Sequence, residues 1–285
     1  ADWGTTPPAE SWTPISNYNY SAGIKNQYAG TFDGDNHTIS GIYCDNSSTT
    51  AYCGLFGYID SQGVVKNINI DSSYFKSASW LGTVAGVNDG NISYCTTSNS
   101  FVYVNGSASA GGIVGFLAST GKVFHCTNIS TIVDSLYGYA GGIVGYSNGV
   151  IEYCTNKQAQ NFSGIGGGIA GCFDSSSAII SNCYNSVDIS GKQNVGGICG
   201  VLEKGTVSDC YNTGNISSSA TNSSYYAGGI AGTLGRSGKS WIGTIKNCYN
   251  VGTVSVPQNT ANAYPIGDIL NDVSTIENSY YLDTC

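Results

Sequence analysis

The sequence predicts an all-β chain wound as a single parallel β-solenoid of about eight coils. Three observations predict it. A glycine-flanked apolar motif returns about every 29 residues, a cysteine-containing motif follows each copy, and no helical period of 3.6 is sustained between them.

The glycine motif comes first in each coil. It reads GLFG ending at Gly57, GTVAG at Gly86, GGIVG at Gly115 and Gly145, GGIAG at Gly171, GGICG at Gly200 and GGIAG at Gly232. The intervals are 29, 29, 30, 26, 29 and 32 residues, and a degraded copy, Gly267-Asp268-Ile269-Leu270, follows a longer insertion carrying Arg236 and Trp241. These runs are short, β-branched and punctuated by Gly, Asn and Ser, which is the signature of strands and turns. One coil cannot bury its apolar face, whereas a stack pairing in parallel at about 4.8 Å can. A right-handed wind is expected. Residues 1–27, with Trp3, Trp12 and three of the five prolines, read as an N-terminal cap, and 28–285 as the repeats.

The second motif carries Cys95, Cys126, Cys154, Cys183, Cys210 and Cys248, with Ser279 in the last copy. Ile151 and Cys154 lie three positions apart, so a straight strand cannot turn both inward. A bend is expected at the residue before the cysteine, which is Asn182, Asp209 or Asn247 in three copies and so tolerates left-handed backbone angles. One cysteine per coil then forms a buried ladder of small apolar side chains. The next position turns outward and predicts a surface ladder of Tyr184, Tyr211, Tyr249 and Tyr280. Asn128, Asn156, Asn185, Asn212 and Asn250 follow as an internal amide ladder.

Composition excludes several functions. Only 10% of residues are charged, yet 41% are hydrophobic, so the chain can bury a core and is not a disordered segment. A net charge of -8 and the lone Arg236 leave no basic stripe for nucleic acid. No apolar run is long enough to form a transmembrane segment. The absence of Met fits a processed chain beginning at Ala1 after a removed signal peptide, and export is expected. Asn-x-Ser/Thr acceptors are scattered along the chain, as such a composition produces by chance.

The remaining cysteines stand outside the ladder. Cys44 and Cys53 flank a polar loop and are candidates for a loop-closing disulfide, and Cys285 is a candidate intermolecular thiol. No close cysteine pair such as Cys-x-x-Cys occurs for zinc, and neither metal nor cofactor is expected. Carboxylates recur three residues after the closing glycine, which places Asp60 near Asp89 and Asp174 near Glu203. Such pairs suit turns or, about 5 Å apart, retaining glycoside hydrolysis or a calcium ion; turn chemistry is the expectation. Asp33 and Asp35 read as a tight turn.

The stretch YAGTFDGDNHTISGIY at 28–43, then GLFG and the recurring GGI-x-G with NCYN, resembles GLUG-repeat proteins. These are exported surface proteins of bacteria and some archaea, and the resemblance implies a β-solenoid used as stalk, adhesive region or spacer. Some immunoglobulin-cleaving metallopeptidases carry such repeats beside a catalytic domain. Their His-Glu-x-x-His motif has no counterpart here, where the histidines are His37 and His125. The resulting expectation is a non-catalytic, extracellular structural protein that self-associates or meets surface glycans and proteins. The alternatives are a glycan-binding adhesin using the tyrosine ladder and a carbohydrate-active enzyme using Asp174 and Glu203.

Overall fold

In the computed structural model the described residues are 7–16, 18–19, 24–47, 51–134, 138–220, 224–257 and 262–282. They contain strands and turns and no helix, and all strand pairings but one are parallel. The chain is a β-solenoid of about eight coils.

One coil shows how the sequence makes the shape. Tyr139–Gly141, Val144–Ser147, Val150–Glu152 and Thr155–Asn156 are successive short strands. Each pairs with its counterparts one repeat away. Tyr139 lies between Ser109 and Ile165, and Val144 between Val114 and Ala170. Ile151 lies between Val123 and Ile180, and Thr155 between Thr127 and Tyr184. Backbone donors and acceptors are thus satisfied along the axis, and the apolar side chains of every coil meet in one central core. From Gln160–Phe162 onward a further four-stranded sheet is added to the coil.

The expected bend is present and extends further than Asn and Asp. Asn36, Asn67, Tyr94, His125, Tyr153, Asn182, Asp209, Asn247 and Asn278 all have φ between 44° and 62°. This line of left-handed residues resets the strand parity, so Ile151 and Cys154 are both fully buried. Six of the nine are Asn or Asp, whose short side chains suit this conformation. Tyr94, His125 and Tyr153 are bulky residues in an uncommon place.

The glycine doublet is explained by close approach. A Cβ on Gly112 would lie 2.6 Å from Asn128 Oδ1, and one on Gly142 or Gly168 would lie 2.7 Å from Asn156 or Asn185. The second glycine of the doublet therefore makes room for the asparagine ladder. Near the first coil, Trp12 N–H donates to Tyr43 O and the Ile15 backbone bonds to Leu55 and Gly57, so this part of the segment expected to form a cap lies along the coil edge.

Candidate functional site

The interior corner is a ladder of hydrogen bonds as well as of packing. At the left-handed bend the cysteine N–H turns away from the carbonyl ladder. It is accepted by the next coil's sulfur: Cys126 N–H by Cys154 Sγ, Cys154 by Cys183 and Cys183 by Cys210, each at 3.4 Å. Each thiol donates to the carbonyl two residues before it, as Cys183 Sγ does to Ser181 O at 3.3 Å. Ser279 substitutes in kind: it accepts Cys248 N–H at 3.1 Å and donates to Glu277 O at 2.9 Å. The expectation of packing alone missed this. Burial pushes the Cys126 and Cys183 thiols well above the ordinary range, so they remain protonated donors. Cys172 and Cys199, which the repeat reading left unassigned, are also buried.

Beside the thiols run the asparagines. Nδ2 of Asn128, Asn156, Asn185 and Asn212 donates to Oδ1 of the next at 2.9, 2.9, 2.7 and 2.8 Å. The second amide hydrogen reaches a carbonyl two residues on, as Asn185 reaches Val187 O at 2.8 Å. All five side chains are fully buried, so Asn128 is unavailable as a glycosylation acceptor.

On the outer face, Tyr184, Tyr211 and Tyr249 stack with centroids 4.1 and 5.0 Å apart. Tyr280, expected to continue the row, is exposed and has no ring neighbour in it. In this stack the faces cover one another, which leaves mostly edges and hydroxyls to solvent. The row is therefore a poor platform for the apolar face of a sugar. A second row, Tyr94–His125–Tyr153, stacks at 4.8 Å on the line of left-handed residues. Sequence reading missed it because that line carries Asn or Asp elsewhere.

Asp60 and Asp89 follow the paired Ile59 and Asn88 in adjacent coils, as expected, whereas Asp174 and Glu203 are displaced. A bulge shifts the register so that Asp174 lies opposite Lys204, not Glu203. Asp174 is bonded to Lys204 at 2.8 Å, and Glu203 to Arg236 at 3.6 Å. Burial, with Asp174 nearby, raises the Glu203 pKa. Asp60 accepts from Ser61 and Gln62 in its own turn, and Asp89 accepts from Thr120. Asp33 holds Lys66 and Asn67, and Asp35 N–H bonds back to Asp33, which is turn chemistry. No group of three or more His, Cys, Asp or Glu among the described residues could hold a metal ion. Cys44 and Cys53 form a disulfide, and Cys285 lies outside the described residues.

A concave site opens instead beside the glycine sheet. Trp80, Ser107, Ser109, Phe116, Tyr139, Tyr146 and Asn148 line a cavity of about 340 Å³. Trp80 stacks on Tyr52 at 5.5 Å and on Phe116 at 4.2 Å, whereas Tyr139 meets Tyr146 edge to face at 5.3 Å. Tyr146 Oη donates to Asp174 Oδ2 at 2.9 Å. Burial raises the Tyr139 pKa to about 12. The one early signal was an aromatic after the closing glycine in two adjacent coils, Phe116 and Tyr146.

Comparison with known proteins places the repeat. Residues 191–217 match the model of the GLUG motif. This chain carries the GLUG motif. Over 88 residues it is 34% identical to halomucin of Haloquadratum walsbyi, a match that covers 31% of this chain and 1% of halomucin. Its fold is similar to the crystal structure of a proposed immunoglobulin A1 protease from Bacteroides ovatus. There the TM-score is 0.56 at 22% identity, over 96% of this chain and 73% of the other. That likeness is one of fold alone.

Proposed function

We propose that this GLUG-motif chain is a non-catalytic structural protein of the cell surface: an extracellular rod that serves as stalk, filament or envelope component. The observation that carries the reading is the axial bonding. Backbone ladders run from coil to coil, and from Cys95 and Asn128 onward thiol and amide ladders join them through the buried corner, so the bonding is directed along one axis. The GLUG motif and the similarity to halomucin support a surface location. The pairing of Asp174 and Glu203 with cations supports the non-catalytic side, since neither acid faces the other as a hydrolase pair would require.

Immunogold electron microscopy of intact source cells tests the proposal. Gold on the envelope or on filaments is the expected result. Gold confined to the cytoplasm would overturn it.

A further inference from the structure

We propose that the cavity between Trp80, Ser109, Phe116, Tyr139 and Tyr146 binds one neutral pyranose residue of a glycan. A pyranose presents apolar C–H faces and a rim of hydroxyls, so its site must alternate aromatic surface with hydrogen-bonding groups. This cavity does so. Its aromatic wall is Trp80, Phe116, Tyr139 and Tyr146, and its volume of about 340 Å³ is at the small end for ligand sites. Tyr139 and Tyr146, on successive strands of one coil, stand at 75° to one another, so the wall turns both a face and an edge to the cavity.

The polar groups point to the same ligand. Ser109 lines the cavity, and its hydroxyl is open to it instead of being sealed in the core. A ligand hydroxyl entering the cavity can bond it there in place of solvent. Tyr139 Oη and Trp80 Nε1 bond to no described residue, which adds a hydroxyl and an N–H donor to the rim. A purely apolar ligand would leave Ser109 unsatisfied.

Charge and backbone narrow the class further. The neighbouring cations are already matched, Lys204 by Asp174 and Arg236 by Glu203, so a uronic acid finds no free positive partner. The bordering strand Tyr139–Gly141 is paired on both sides, which closes the route by which an extended peptide would add as a strand. The inference concerns the purified chain and stands apart from the surface reading.

Isothermal titration of the full chain tests it, with the methyl glycosides of glucose, galactose, mannose and N-acetylglucosamine as probes and with glucuronic acid and indole as contrasts. At least one methyl glycoside should bind saturably. Ser109→Ala and Tyr139→Phe should each weaken it by about tenfold, while Tyr211→Ala leaves it unchanged. Tyr139→Phe keeps the ring and decides the matter if Ser109→Ala does not fold. The proposal is overturned if no methyl glycoside binds, if Tyr139→Phe binds normally, or if indole or glucuronic acid binds more tightly than every sugar.

Discussion

The first three coils and the next five solve the same corner differently. In the early coils the interior position reads Ile39, Ile70 and Thr97, and Thr83 stands where later coils have the second glycine. In the later coils that position is Asn128 to Asn250, each opposite a glycine that leaves it space. The sulfur column likewise begins only at Cys95, after His37 and Ile68. The early coils rely on apolar bulk, with Phe56 and Phe75 fully buried and the Cys44–Cys53 disulfide beside them. At this corner the later coils use directed hydrogen bonds, although Phe162 and Phe173 are as fully buried elsewhere in their core. Polar interiors are therefore affordable here only as complete ladders, since each member is satisfied by its neighbours.

The largest test breaks a ladder in its middle. Asn185→Leu removes two amide bonds to neighbouring coils and one to Val187 O, leaving buried partners unmatched. It should cost about 5 kcal/mol, against about 1 kcal/mol for Ile70→Val in the apolar half, by guanidinium unfolding. Equal costs would mean that the two halves are stabilised alike.

Acidity separates the halves in sign. In the later part Asp134 is buried and accepts from Ser163 and Gly164 N–H, and burial raises its pKa to about 6. Its favourable contribution is present below pH 4 and is lost as pH rises from about 4 to 6. The loss is on the order of 3 kcal/mol. In the early part Asn67, and then Lys66, hold exposed Asp33 down at about 2. Its contribution is present above pH 4 and is lost as pH falls toward 2. Melting curves across pH should flatten between 4 and 6 in Asp134→Asn and below 4 in Asp33→Asn.

Smaller effects probe the transition between the two solutions. Thr97→Asn alone should destabilise. Combined with Thr83→Gly it should recover, giving a coupling of about 2 kcal/mol in a double-mutant cycle; additivity would refute the link between glycine and amide. Cys183→Ser should be tolerated within about 1 kcal/mol, as Ser279 suggests, and Cys183→Ala should cost about 2 kcal/mol by losing the bond the thiol accepts from Cys154 N–H and the one it donates to Ser181 O. Tyr153→Asn should stabilise by about 0.5 kcal/mol, because a bulky side chain leaves a left-handed position; a loss of stability would show that stacking on His125 outweighs the strain.

The comparison also explains what could be read in advance. Repeat, bend and amide ladder are periodic, so register follows from counting: the three-residue gap between Ile151 and Cys154 demanded a parity change that nine left-handed residues supply. One failure lies where the period slips. The extra residues around Ser175–Ser177 move Asp174 opposite Lys204. Tyr280 keeps the expected register opposite Tyr249, but its ring is exposed and does not join the stack. The cavity was hidden for another reason. Trp80, Ser109 and Tyr139 belong to three coils, and Ser109 and Tyr139 register with one another only through a sheet that has no motif of its own beyond its glycines.

The amide row has one more consequence, which concerns direction. Nδ2 of Asn128, Asn156, Asn185 and Asn212 each donates toward the C-terminal coil, and Oδ1 of Asn156, Asn185, Asn212 and Asn250 accepts from the coil before. The side-chain dipoles add as vectors instead of cancelling, so the rod carries an internal arrow in a row of side chains that the backbone sheets do not contain. The arrow lies wholly inside the rod, between Thr97, the register partner of Asn128, and Tyr281, the register partner of Asn250, so its direction is closed off from both ends by coils that lack the amide.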